Sequence, residues 1–81
     1  MNERDLRQHY DRYAYLVFRR CRTLLGSRAD AEDAMQEVFV RAQQHTPRPN
    51  EAPLAWLYTV ATNICFDMVR HRGRATPTAP D

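Results

Sequence analysis

Trp56, Val60, Asn63, Asp67 and Arg70 fall along one stripe if the chain around them is helical, with Thr59 and Thr62 beside it. This stripe is distinct from the apolar one formed by Leu54, Leu57, Ala61, Ile64 and Met68. A helix buried on one side needs no amide in its second stripe. The Asn63 amide offers a donor and an acceptor side by side, the combination that reads a base edge, and the Trp56 indole can stack or wedge against a base pair. On a purely structural view Asn63 is a surface polar residue and Trp56 a core anchor. Further along, Arg70, Arg72 and Arg74 make a basic helix end. It complements the negative C-terminal dipole, worth about 0.3–1 kcal/mol, and it equally suits the neutralisation of phosphates.

A second group has a different character. Asp33, Gln36 and Glu37 are neighbours at steps of three and four, with Arg41 on the same side. Acidic helix faces are most often simply solvated. If this one is a contact, its partner is basic and helical, because a narrow carboxylate stripe matches a facing stripe of Arg or Lys.

Catalytic and metal chemistry find no support. No nucleophile, base and orienting group recur at a workable spacing, so the chain is not expected to be an enzyme. His9, His45 and His71 lack zinc-ligand spacing and read as solvated surface. Cys21 and Cys65 lie outside any Cys-x-x-Cys pattern and read as reduced, partly buried thiols. No cofactor or metal is implied. No signal peptide or membrane span is visible, so a soluble, cytoplasmic protein is expected.

The elements that must carry these groups are helices. From Arg4 to Leu25 the apolar residues Leu6, Tyr10, Tyr13, Ala14, Val17, Phe18, Cys21, Leu24 and Leu25 make one helical stripe, closed by Gly26. The polar pairs flanking Tyr10 allow a bend near Asp11, giving one long helix or two short collinear ones. Ser27 can cap a second helix, with Asp30, Glu32 and Asp33 in its first turns and Ala31, Ala34, Met35, Val38, Phe39 and Ala42 on its apolar face. That helix runs to about His45. Pro47 and Pro49 then force a loop. Asn50 is a cap candidate for a third helix with Pro53 in its first turn, ending near Arg72-Gly73. Residues 75–81 have the composition of a flexible linker, which suits a tether to a further domain or, alternatively, a disordered native tail.

The bulk numbers agree with a single small domain. At 81 residues, 43 % hydrophobic and 10 % aromatic, the chain supports one compact core. The expected fold is all-α, a compact bundle of three to four helices. Net charge is only +2, and every cation is Arg, a planar fork suited to phosphate or carboxylate.

The run Ala31-Glu32-Asp33-Ala34-Met35-Gln36-Glu37-Val38-Phe39-Val40-Arg41-Ala42 is followed by Pro53-Leu54-Ala55-Trp56-Leu57-Tyr58-Thr59-Val60-Ala61-Thr62-Asn63, then Asp67 and Arg70. In order, separation and helical context this resembles region 2 of bacterial sigma factors of the extracytoplasmic-function type. The preceding helix, with Tyr10, Tyr13 and Leu24-Leu25-Gly26, extends the likeness to about residues 4–74. The resemblance implies a region 2 domain over 1–74, with 75–81 leading to an absent C-terminal region 4 domain. It implies that Asp33, Gln36, Glu37 and Arg41 dock on the beta prime clamp helices of core RNA polymerase. The loop of residues 46–53, with Arg48 and Asn50, corresponds to the loop that receives a base flipped from the non-template strand of the promoter −10 element. Trp56, Thr59 and Asn63 correspond to helix positions at the upstream edge of that element, and Arg70 and Arg72 to positions near the DNA backbone. An anti-sigma factor is a further implied partner.

The chain departs from that pattern in two places. Many relatives carry a Phe-Arg-Gly type loop where this sequence has Arg48-Pro49-Asn50-Glu51, and often an Arg where it has Thr59. Two other functions stay open on sequence alone. A helix-turn-helix domain reading duplex DNA is also all-helical and mildly basic, but it expects a short turn before its recognition helix. A protein-interaction bundle would use the second helix and no nucleic acid.

Overall fold

The computed structural model describes residues 2–75, with side chains through His71. Three helices make up the fold among these residues: α1 (Glu3–Leu25), α2 (Arg28–Gln43) and α3 (Pro53–Ala75). None of them is long and apolar enough to cross a membrane.

The α1 helix begins where the Asn2 side chain accepts the Asp5 backbone N–H at 2.8 Å. It runs without the break considered near Asp11: Gln8, Asp11 and Arg12 all point to solvent, so they leave the apolar stripe intact. It stops at Gly26, whose φ of 75° is left-handed and whose N–H donates to the Arg22 carbonyl. The Arg22 guanidinium in turn donates to the Gly26 carbonyl at 2.7 Å, satisfying one of the acceptors a helix end exposes.

One residue later the Ser27 hydroxyl accepts the Asp30 N–H and starts α2. All six residues assigned to its apolar face are buried: Ala31, Ala34, Met35, Val38, Phe39 and Ala42. The helix ends at Gln43, short of His45, through tighter terminal bonds from Gln44 to the Arg41 carbonyl and from His45 to the Ala42 carbonyl.

Asn50 is not the cap of α3. With Pro53 as the first helical residue, the Ala52 carbonyl accepts the Trp56 N–H at 3.1 Å and Ala52 holds the cap position. Asn50 instead supplies a left-handed turn residue, φ 65°, in a loop tightened by the Glu51 N–H donating to the Arg48 carbonyl. Asparagine tolerates that backbone better than any other side chain save glycine. The α3 helix then continues through Gly73 to Ala75, because a glycine in a helix costs only about 1 kcal/mol and no proline intervenes before Pro77. The expected linker lies, from residue 76 onward, outside the described residues.

The core lies where the three helices meet. Val17 and Cys21 of α1 and Leu57, Ala61, Ile64 and Cys65 of α3 close over the α2 face. Phe18, Leu24, Trp56, Val60 and Met68 pack partly buried around it. Cys21 and Cys65, expected to be partly buried, are wholly so, and they are neighbours across the α1–α3 contact.

Candidate nucleic-acid and protein interfaces

The α3 stripe keeps Asn63 exposed, and among the described residues its amide has no hydrogen-bonding partner. Thr59, one turn earlier, is also exposed, but its hydroxyl donates to the Ala55 carbonyl at 3.0 Å. Its oxygen can still accept. Arg70, one turn beyond Asp67, is ion-paired to it, and both side chains are well exposed. An exposed pair of this kind is worth about 0–1 kcal/mol, so a phosphate can compete for Arg70. Arg72 belongs to α3, and its side chain lies outside the described residues.

Trp56 has a different setting from its neighbours on the stripe. It is half-buried, and the His45 imidazole lies stacked on it, with centroids 3.9 Å apart and planes at 18°. His45 Nε2 lies 2.7 Å from Glu51 Oε2, with both side chains more than four-fifths buried. His45 is therefore not the solvated residue that its spacing from the other histidines implied. It joins the end of α2 to the foot of α3 and spans the proline loop, leaving Arg48 and Asn50 exposed on that loop. One face of the indole is thereby occupied within the domain. His45 and Glu51 were not recoverable as a pair from helical periodicity, because the contact crosses irregular backbone. The only sequence signal is their placement on either side of the two prolines.

On α2, Asp33, Gln36, Glu37 and Arg41 are all exposed. Arg41 Nε lies 3.4 Å from Glu37 Oε2, a half-exposed pair that a partner can exchange. Next to this polar edge, a shallow groove between α1 and α2 is lined by Leu6, Tyr10, Gln36, Phe39, Val40 and Gln43. Tyr10 meets Phe39 edge-on at 4.9 Å, and Val40 is 47 % exposed. A polar rim beside an apolar, aromatic strip is the usual anatomy of a protein-binding surface.

No group of three or more metal-binding side chains occurs among the described residues.

Three curated relatives align over most of the chain. The ECF RNA polymerase sigma factor SigE of Mycolicibacterium smegmatis is 42 % identical over 85 % of it, SigL of Mycobacterium tuberculosis 41 % over 76 %, and SigW of Bacillus subtilis 34 % over 76 %. The chain spans only 26 %, 37 % and 34 % of the lengths of those proteins. No solved structure matches it significantly. The family model described as Sigma-70 region 2 matches residues 9–75, essentially the whole three-helix bundle, and the chain belongs to that family.

Proposed function

We infer that this domain docks on core RNA polymerase through α2 and its neighbouring groove, and binds the unpaired non-template strand of a promoter −10 element through α3 and the loop before it. The observation that carries this reading is the separation of two exposed polar surfaces onto different helices of one family-assigned bundle: Asp33, Gln36 and Glu37 on α2, Thr59, Asn63 and Arg70 on α3. The carboxylates and the Tyr10–Phe39–Val40 strip suit a basic helical partner with apolar anchors, the character proposed for the beta prime clamp helices. An unpartnered amide suits a base edge.

The domain does no covalent chemistry. It favours promoter opening by holding the unpaired strand more tightly than the duplex, since only differential affinity moves such an equilibrium. Extruding a base costs a few kcal/mol, which ring stacking and edge hydrogen bonds in the loop offset. With a net charge of +2 the free domain holds DNA weakly at physiological salt, so polymerase docking comes first, in the cytoplasm. A protein covering either surface would silence the domain, which is the role of an anti-sigma partner. The loop from residue 44 to 52 is longer than the short turn of a helix-turn-helix, which favours the single-strand reading over the duplex-reading alternative.

The test is selection of a randomised single-stranded oligonucleotide pool on core polymerase with and without this chain. Chain-dependent enrichment of a short motif, bound better as a single strand than as a duplex, is expected. Preference for duplex, or no chain-dependent enrichment, overturns the reading.

A further inference from the structure

The charge of the chain is unevenly placed. Between Asp11 and Asp30 there is no acidic residue, while Arg12, Arg19, Arg20, Arg22 and Arg28 all fall there. The part of α3 from Pro53 to Phe66 is equally free of acid. Two of these five cations are satisfied within the domain: Arg22 donates to the Gly26 carbonyl, and Arg28 pairs with Glu32. Arg19 and Arg20 have only neutral partners among the described residues. The Arg19 guanidinium lies 5.9 Å from the Tyr15 ring centroid, and that of Arg20 lies 5.8 Å from the Tyr58 ring. Arg20 also reaches Thr62 Oγ1 at 3.4 Å from both Nε and Nη2.

This contact places Arg20 beside the α3 stripe. At about 100° per residue, Tyr58 and Thr62 lie along one flank of the Thr59–Asn63–Arg70 line, and Arg20 is laid against both of them. Leu16, Arg19, Arg20, Thr23 and Tyr58 together line a shallow concavity there. A guanidinium resting on a tyrosine and a threonine keeps its outer N–H groups available and loses little side-chain freedom on meeting an oxyanion. Arg19 and Arg20, with no carboxylate between residues 12 and 29 of the chain or between 53 and 66 to neutralise them, have an unspent attraction for phosphate.

We propose that Arg19, resting on Tyr15, and Arg20, resting on Tyr58, form a sequence-independent phosphate-binding ledge on α1 that grips the backbone of the single strand whose bases meet α3. This rests on the single-strand reading given above. The ledge adds affinity without adding base preference, a division between phosphate contacts that position and base contacts that specify.

The probe is a fluorescent dT20 oligonucleotide, and the readout is the slope of log affinity against log salt for the whole 81-residue chain, measured by anisotropy. Each lost phosphate contact on a single strand lowers the slope by about 0.7. Arg19→Gln with Arg20→Gln should lower it by about 1.4 and weaken binding on the order of tenfold at 0.1 M salt. Arg19→Lys with Arg20→Lys should restore the slope. Arg4→Gln with Arg28→Gln removes the same charge elsewhere and should leave it nearly unchanged. An unaltered slope in the Arg19/Arg20 glutamine variant, or an equal fall in the charge-matched control, overturns the ledge while leaving the single-strand reading standing. Failure of the unaltered chain to bind dT20 at any salt concentration overturns that reading, and the ledge with it.

Discussion

The His45 imidazole lies parallel to the Trp56 indole at 3.9 Å, held there by its contact with Glu51 across the proline loop. Aromatic stacking adds about 0.5–1.5 kcal/mol beyond area burial. Removing His45 also strips Glu51, which is 16 % exposed, of its partner. His45→Ala should therefore destabilise the domain by about 1–2 kcal/mol, a drop of several degrees in melting temperature. Trp56 is the only tryptophan, so its emission reports this contact directly. A shift to longer wavelength is expected in His45→Ala, with His45→Phe restoring the stack but not the bond to Glu51. An unchanged spectrum and melting temperature in His45→Ala would show that the loop is held by something else.

The turn between α1 and α2 gives a test of backbone conformation alone. A Cβ added at Gly26 meets nothing within 4 Å, yet φ is +75°. Gly26→Ala should cost about 1 kcal/mol through backbone strain, and Gly26→Asn clearly less. Equal stability of all three chains in thermal denaturation would remove the left-handed cap from the account.

Burial pushes the Cys21 thiol from its ordinary value of 9.0 up to about 12, with the neighbouring Cys65 adding to the effect, and burial raises Cys65 as well. A raised thiol pKa means that the folded chain keeps protons the unfolded chain releases. The associated stability is complete below about pH 9 and is lost as pH rises toward 12. Melting temperature should fall progressively above pH 9, and a thiol reagent at pH 8 should label neither cysteine until denaturant is added. Rapid labelling of the native chain would contradict the buried pair.

Helical periodicity made most of the fold legible. Each of the six apolar positions read on α2 is buried, because a regular helix converts sequence spacing into angular position with little ambiguity. The Ser27 cap was legible for a similar reason, since its acceptor reaches a fixed backbone donor three residues on. Asn50 reads as a cap in the sequence but is a turn residue in the fold, because asparagine serves caps and left-handed turns alike and Pro53 starts the helix two residues too late for Asn50 to cap it. Contacts between elements were not legible. Neither the Cys21–Cys65 neighbourhood nor the Arg20–Thr62 contact has a local pattern, since both depend on how α1 and α3 meet. The exposure of Asn63 and of the Asp33–Glu37 edge fits the recognition roles proposed for them, but what they bind is a question for experiment.

That question reduces to whether the two surfaces can be disabled separately. The decisive measurement compares retention on core polymerase with capture of the selected single-stranded oligonucleotide for Asn63→Ala and for Gln36→Ala combined with Glu37→Ala. Loss of a paired base-edge contact costs about 1–3 kcal/mol, so Asn63→Ala should weaken or relax oligonucleotide recognition at least fivefold and leave polymerase retention unchanged. The α2 double variant should lose polymerase retention. Loss of polymerase retention in Asn63→Ala, or undiminished retention of the α2 double variant, at unchanged helical content, would contradict a domain with two independent interfaces.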